Sequence, residues 1–439
     1  MTGNAPRSSQ PGDLAGVRLE LDVEAVGGGG VCIARSEGRV VFVRHALPGE
    51  RVTAVVTSGT AGSRFLRADA VEVLRASPDR VEPPCPYARP GRCGGCDWQH
   101  VSLPAQRRLK SEVIAEHFRR LAGLDVRVEV EPVPGDDDGL GWRTRVGFAV
   151  DRGGQVGLRR YRSHEIEPID RCLIASPGVT EVGAERRRWP GSAGVEVLAA
   201  PRTGDKAVVV TPADGSGPPH VPPLDAAVSV FRRSGDGAVT PLRGRRALRE
   251  EAAGRRWRVS GSGFWQIHPG AADALVAAAL DLARPAPGET ALDLYCGVGL
   301  FAGALAPALG EAGRVHAVEG NRSAAADAAH NLRDLPNVSV HRGAVDDQLA
   351  KLPLAAADLV VLDPPRSGAG PAVCRRVAGL GPRAVVYVAC DPAALARDVA
   401  TFAAAGYRLA ALRALDLFPM TAHVECVALL VPAADGASG

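Results

Sequence analysis

Lysine is almost missing from this 439-residue chain: Lys110, Lys206 and Lys351 stand against 49 arginines. Together with 51 glycines and 34 prolines, that bias fits GC-rich coding, although arginine also forks onto phosphate better than lysine does. Long apolar runs are lacking as well. No stretch approaches the ~18 residues that a membrane helix needs, which argues against an integral membrane protein. The opening residues MTGNAPRSSQPGDLA hold neither an apolar core nor a cleavage pattern, so no export signal is read and a cytoplasmic location is expected. Nine cysteines are an odd number in a long chain without such a signal, so a disulfide scaffold is not expected. The net charge of +3 and pI of about 8.4 are too mild to establish a nucleic-acid partner. What is present, 46% hydrophobic and 23% charged residues, excludes a disordered or collagenous chain. The length leaves room for roughly two to four domains.

Residues 1–14 read as a flexible tail. From Val17, VRLELDVEAV alternates apolar and polar residues as a half-buried strand does, and GGGG at 27–30 breaks the run. VCIARSEGRVVFVRHAL resumes it around a hairpin turn at Glu37-Gly38, and ERVTAVVTSGT and FLRADAVEVL add strands. Short strands packed this closely predict a small antiparallel barrel of the oligonucleotide-binding type. LPAQRRLKSEVIAEHFRRLAG has helical apolar spacing and a glycine stop. Strands follow from Trp142 to Cys172, residues 180–260 are weakly patterned, and no internal repeat is found. From about 262 onward, helices alternate with the buried strands ALDLYC, VHAVEG, VSVHRG, DLVVLDPP, AVVYVACDP, RLAALRALDLF and VECVALLV. That alternation predicts βα units and a parallel, doubly wound sheet.

In ALDLYCGVGLF (291–301) an apolar strand ends at Asp293, and Gly297 and Gly299 then turn tightly into a helix. Glycines there let the backbone approach a ligand at the carboxyl ends of the strands. The stretch is not GxGxxG, and no Walker lysine follows, which disfavours NAD and ATP. Glu319 closes the next strand and is suited to accept both hydroxyls of a ribose. The pair fits a cofactor bearing adenosine but no phosphate, for which S-adenosylmethionine is the natural candidate. DPPRSG (363–368) closes a third strand, where two prolines stiffen a loop that presents Asp363. Cys390 ends a fourth, just before Asp391-Pro392 opens a helix. A thiol at a helix start has its thiolate stabilised, making Cys390 a candidate nucleophile. Cys32, Cys296, Cys374 and Cys426 read as inert small hydrophobes. In PMTAHVECVALLV, Glu425 stands inside an apolar strand. Burial raises a carboxyl toward a useful base. His423 receives no role. Cys85, Cys93 and Cys96 crowd into twelve residues, with Cys172 as a distant fourth thiol. Four thiolates hold zinc or an iron–sulfur cluster, and spacing alone does not choose between them.

The cysteine cluster, DLYCGVGLF, DPPRSG, ACDP and HVECVALL, in that order, closely resemble the RNA uracil-5 methyltransferases, which make 5-methyluridine. The resemblance runs from about residue 17 to about 431. It implies a Rossmann-like, doubly wound α/β methyltransferase domain at 261–439, an OB-like TRAM barrel for RNA at 15–76, and a small α+β central domain at 77–260. It also implies a [4Fe–4S] cluster on Cys85, Cys93, Cys96 and Cys172. S-adenosylmethionine contacts would fall to Gln266, Tyr295, Glu319 and Asp363, with Cys390 as nucleophile and Glu425 as general base. His268 stands where the family commonly has Asn, Leu300 where Asn often follows the glycines, and ACDP replaces the frequent SCNP. The bacterial transfer-RNA branch generally lacks both barrel and cluster, so ribosomal RNA is the expected substrate and transfer RNA the alternative. No protein partner is indicated.

Two basic windows would support an RNA path: Arg143–Arg162, six Arg against one Asp, and Arg232–Arg258, nine Arg against three acids. Two rival readings are an exocyclic-nitrogen methyltransferase, which needs no cysteine, and a non-catalytic RNA-binding iron–sulfur redox sensor.

Overall fold

The structure is a computed structural model describing residues 12–215, 217, 219–261 and 263–433. Most of the expected flexible tail lies outside the described residues. Of the rest, Asp13 forms a bridge with Thr60, and the Leu14 amide donates to Gly59 O at 3.0 Å. The chain divides into two compact units. The first holds the residues up to Leu109 with Arg159–Glu167 and Met420–Ala422, and the second holds Lys110–Leu158, Pro168–Pro419 and the chain from His423 onward.

In the first unit the strands Arg18–Val26, Cys32–Ser36, Arg39–Arg44, Arg51–Ser58 and Phe65–Arg75 close into a barrel. Alternation drives it: Leu21, Val23, Ala34, Val41, Val43, Val52, Ala54, Leu66 and Ala68 all point into one apolar core. Glu37 (φ 49°) and Gly38 (φ 77°) both take positive φ, the backbone that a tight two-residue hairpin requires. The barrel is not wholly antiparallel, because Arg39–Arg44 and Phe65–Arg75 run parallel. Five strands force this: an odd number cannot alternate direction all the way around a closed ring. Glu50, fully buried, anchors the chain leaving the barrel by accepting from Arg80 at 2.6 and 2.7 Å and from the Ser77 amide at 3.1 Å.

In the second unit, Arg145–Val150, Ser192–Ala199, Lys206–Pro212, Ser229–Arg233 and Val239–Arg243 are successive neighbours in one sheet. The weakly patterned 180–260 region thus supplies strands that sequence periodicity blurred. The larger sheet has the order Val338–Arg342, Arg314–Glu319, Thr290–Leu294, Leu359–Leu362, Ala384–Ala389, Glu425–Pro432, Tyr407–Asp416, Val130–Pro132. Its first five strands are parallel. One apolar layer covers each face, one formed with helices Ala271–Ala283 and Leu300–Leu309, the other with Gly370–Gly379 and Pro392–Ala404. This is the expected doubly wound architecture, with one difference. Glu425–Pro432 runs antiparallel to both of its neighbours, because residues 417–424 are too short a link for a parallel crossover. Strand order reverses between Thr290–Leu294 and Leu359–Leu362, the switch point outside which ligands bind in open α/β sheets.

Candidate active site

Strand alternation decides which side chains share a face. Ala291, Ala317, Val361, Val388 and Val427 belong to one apolar layer. Two residues further toward the same sheet edge stand Asp293, Glu319, Asp363, Cys390 and Glu425, one from each of five neighbouring strands or the residue just past it. Cys390 and Glu425 are the tightest pair in register. Ala389 is paired with Cys426, so the next step sets Cys390 opposite Glu425.

The electrostatics follow from burying acids together. Asp293 is 1% exposed; its Oδ2 accepts from the Ala302 amide at 2.7 Å, while Oδ1 has no partner. Burial, reinforced by Asp363 and Glu319, pushes its carboxyl up to about 7. Burial does the same to Asp363, also to about 7. Glu425 is held well above the usual carboxylate range by burial and then by Asp363, while Arg366 pulls it back. The Cys390 thiol is pushed up to about 11, first by burial and then by Glu425, with Arg366 again opposing. The expected thiolate stabilisation at the helix start does not prevail. The helix is capped by Asp391, whose side chain accepts from the Ala394 amide at 2.7 Å, and Cys390, one residue earlier, faces an acid.

Arg366 is the residue that sequence reasoning missed. It acts on both Cys390 and Glu425, and it stands in the quoted DPPRSG motif; charge balance among the acids was the signal available. Tyr387 and Asp398 were missed too. Asp398 accepts from the Ala369 and Gly370 amides at 2.8 and 3.2 Å and from Tyr387 Oη at 2.6 Å. These bonds fasten the loop bearing Asp363 and Arg366 to the strand that ends at Cys390.

Glu319 accepts from the Gly297 amide at 2.9 Å and from the Asn321 amide at 2.6 Å, so the strand-end acid fixes the glycine turn. A Cβ built on Gly297 (φ 56°) meets nothing within 4 Å, leaving open space before that turn. At Gly299 (φ 96°) a Cβ would sit 2.7 Å from Leu332, so only glycine fits against the helix. A half-buried carboxylate, open space at the turn and the orphaned Asp293 Oδ1 are the features that an adenosine-bearing ligand would use. Tyr295, with φ 63°, swings out of strand alternation and packs against the opposite apolar layer. Gln266 lines a narrow cleft with Trp265, Glu250 and His268. His423 is exposed and sets its ring edge-on to Phe418, at 6.1 Å.

The cysteine loop lies in the first unit, and Cys172 belongs to the second. Gln99 links two of the loop's cysteines: its Oε1 accepts from the Cys85 amide at 3.1 Å, and its Nε2 donates to Cys96 Sγ at 3.4 Å. The Gly95 amide donates to Cys93 Sγ, also at 3.4 Å. N–H donors aimed at sulfur suit thiolate ligands. Among the described residues, however, no three His, Cys, Asp or Glu side chains gather as a metal ion would require.

Much of the arginine excess is internally paired. Arg160 binds Glu165 and Glu167, and in the second window Arg233, Arg249, Arg255, Arg256 and Arg258 pair with Glu196, Asp205, Asp334, Glu251 and Asp327. Arg243, Arg245 and Arg246 are exposed around one turn.

Comparison with known proteins agrees with this geometry. The tRNA (Uracil-5-)-methyltransferase family matches residues 254–432 and the TRAM domain residues 14–71. An uncharacterized RNA methyltransferase of Streptomyces coelicolor is 55% identical, covering 98% of this chain and 96% of its own. The 23S rRNA (uracil(1939)-C(5))-methyltransferase RlmD of Chromohalobacter salexigens is 35% identical, covering 93% and 88%. The chain belongs to the RNA uracil-5 methyltransferases. The fold agrees: the crystal structure of the Pyrococcus abyssi tRNA (uracil-54, C5)-methyltransferase with S-adenosyl-L-homocysteine superposes with a TM-score of 0.71 at 24% identity, covering 94% of this chain and 99% of that one. Among the described residues, no helix is long and apolar enough to cross a membrane.

Proposed function

We propose that this RNA uracil-5 methyltransferase converts a uridine of 23S ribosomal RNA to 5-methyluridine through a covalent bond between Cys390 and uracil C6. The observation that carries the reading is the pairing of Cys390 with Glu425 on a strand-end face shared with Asp293, Glu319 and Asp363. S-adenosylmethionine, when bound there, supplies an electrophilic methyl group. Glu319 and Asp363 would hold it, and the resemblance adds Gln266 and Tyr295. Uracil C5 is a poor nucleophile while the ring is conjugated. The Cys390 thiolate adds to C6, and its electron pair leaves C5 enolate-like and able to take the methyl group. Glu425 then removes the C5 proton, the C6–S bond breaks, and the double bond returns. The target base must be unpaired or flipped out for Cys390 to reach C6. A cytoplasmic location follows from this substrate.

Ribosomal RNA is favoured over transfer RNA by the 35%-identical RlmD relative, whose likeness covers nearly the whole chain including the barrel. Mapping 5-methyluridine in both RNA classes from a deletion strain tests this. Loss of one ribosomal site, restored by the wild-type gene but not by Cys390→Ala, is expected; loss confined to transfer RNA overturns the substrate.

The [4Fe–4S] cluster is part of the same proposal, with Cys85, Cys93, Cys96 and Cys172 as ligands. The N–H donors to Cys93 and Cys96 support it. Protein purified without oxygen should be brown and carry about four iron atoms per chain. Stoichiometric zinc without iron would overturn the assignment. Cys93→Ser should lower solubility before it alters the chemistry.

RNA affinity should rest on unpaired arginines. Replacing Arg159 and Arg160 would remove ion pairs as well as charge, so the cleaner test is Arg243, Arg245 and Arg246 together changed to Ala. The slope of log affinity against log salt should flatten by about 0.7 per lost contact to single-stranded RNA. An unchanged slope would place the RNA elsewhere.

A further inference from the structure

Away from the strand-end face, the second unit carries a half-open cavity of about 480 Å³ that the methylation mechanism does not use. Its wall carries Asp136, Asp137, Glu181 and Asp205 against a single ammonium, Lys206, and most of the remaining surface is glycine, alanine and proline. Lys206 is taken up by Glu181 at 3.1 Å, and Asp205 is held by Arg249 at 2.7 Å. Asp136 Oδ1 accepts from the Gly139 amide at 2.8 Å, and its Oδ2 lies 3.6 Å from His268, whose pKa burial lowers. Asp137 is exposed. In the same wall Ser176 is 3% exposed, and its Oγ has no hydrogen-bond partner. A buried hydroxyl without a partner is costly and points to a ligand that supplies one.

The chemistry of the wall selects the occupant. Excess carboxylates repel the phosphates of RNA, so the cavity is not part of the substrate track. Among the described residues no three acids gather closely enough for one metal ion. The negative charge is instead spread along a pocket whose small residues offer apolar contact between the charges. We infer that this cavity binds a linear aliphatic oligoamine. Its ammonium groups meet Asp136 and Asp137, its methylenes lie on the glycine, alanine and proline surface, and one N–H donates to Ser176 Oγ. Such polycations condense on RNA as counterions, so an enzyme acting on RNA meets them wherever its substrate is.

Calorimetric titration of RNA-free enzyme with spermidine at physiological salt tests this, with putrescine and magnesium chloride as comparisons. One saturable spermidine site is expected, with putrescine weaker and magnesium unable to displace spermidine at equal concentration. Asp137→Asn should weaken spermidine about two- to fivefold, the loss of one exposed ion pair. Asp137→Lys should abolish binding while leaving methyl transfer unchanged. Because Asp137 is exposed, neither variant threatens the fold. Failure to saturate, full binding by Asp137→Lys, or displacement by equal magnesium would each overturn the inference.

Discussion

Glu425→Gln should cut turnover about 10²–10⁴-fold, the usual cost of losing a general base, and should trap methylated RNA on the enzyme. Addition of Cys390 to C6 and methylation at C5 require no proton to leave C5; only the final elimination does. Gln keeps the shape of Glu but cannot take that proton. The electrostatics sharpen the expectation. Once Glu425 ionises, its charge is second only to burial in raising the Cys390 thiol, so at alkaline pH Gln lowers that pKa and favours adduct formation while release is blocked. A denaturant-resistant band of protein bound to RNA should therefore accumulate in Glu425→Gln. It should disappear when Cys390→Ala is added. Normal turnover by Glu425→Gln, or a band that survives without Cys390, would mean that these two residues have other roles. Activity persisting in Cys390→Ala alone would favour methylation of an exocyclic nitrogen, and methyl transfer to no RNA at all would favour a redox sensor.

Turnover should rise with pH across the neutral range and on into the alkaline, and Arg366→Leu should shift that rise upward. Cys390 is pushed up to about 11, and Glu425 well above its ordinary value. Below those values Cys390 is a neutral thiol and Glu425 keeps its proton, so neither group can act; as pH climbs, each gains its working form. The direction is thus a loss of rate toward acid. Arg366 favours the charged form of both groups, and its removal moves both toward still higher pH. Arg366 is exposed and partly screened, so a shift of about one pH unit, or roughly tenfold in rate at neutral pH, is the scale to expect. Arg366→Lys should recover most of it, whereas a purely structural arginine would alter stability without moving the pH profile. A profile that falls between pH 6 and 8, or one unmoved in Arg366→Leu, would contradict this account.

Much was legible in the sequence because it is written in local pattern. Period-two alternation marked the barrel strands, Glu37-Gly38 marked the hairpin, and Gly123 ended the helix Leu103–Ala122. The strand-ending Asp293, Glu319 and Asp363 were readable because a parallel strand buried on both faces is a continuous apolar run, and the first charge after it marks the sheet edge. Cys390 and Glu425 announced themselves in the same way, as chemistry-bearing residues at or inside apolar strands.

What the sequence could not carry is anything that depends on which strand lies beside which. The parallel pair inside the barrel follows from ring closure, and the reversed Glu425–Pro432 strand from a link too short to cross over. The pairing of Cys390 with Glu425 follows from a register between strands 36 residues apart in number, a non-local contact no window reveals. The same holds for charge. Arg233, Arg249 and Arg255, which read as basic surface, prove to pair with Glu196, Asp205 and Asp334 from distant segments. The thiol that a local helix start should have acidified is instead raised by an acid on a neighbouring strand. Local pattern singled out the candidate residues; tertiary contact decided their ionisation, because pKa depends on burial and on through-space charge, and neither is a property of sequence neighbours.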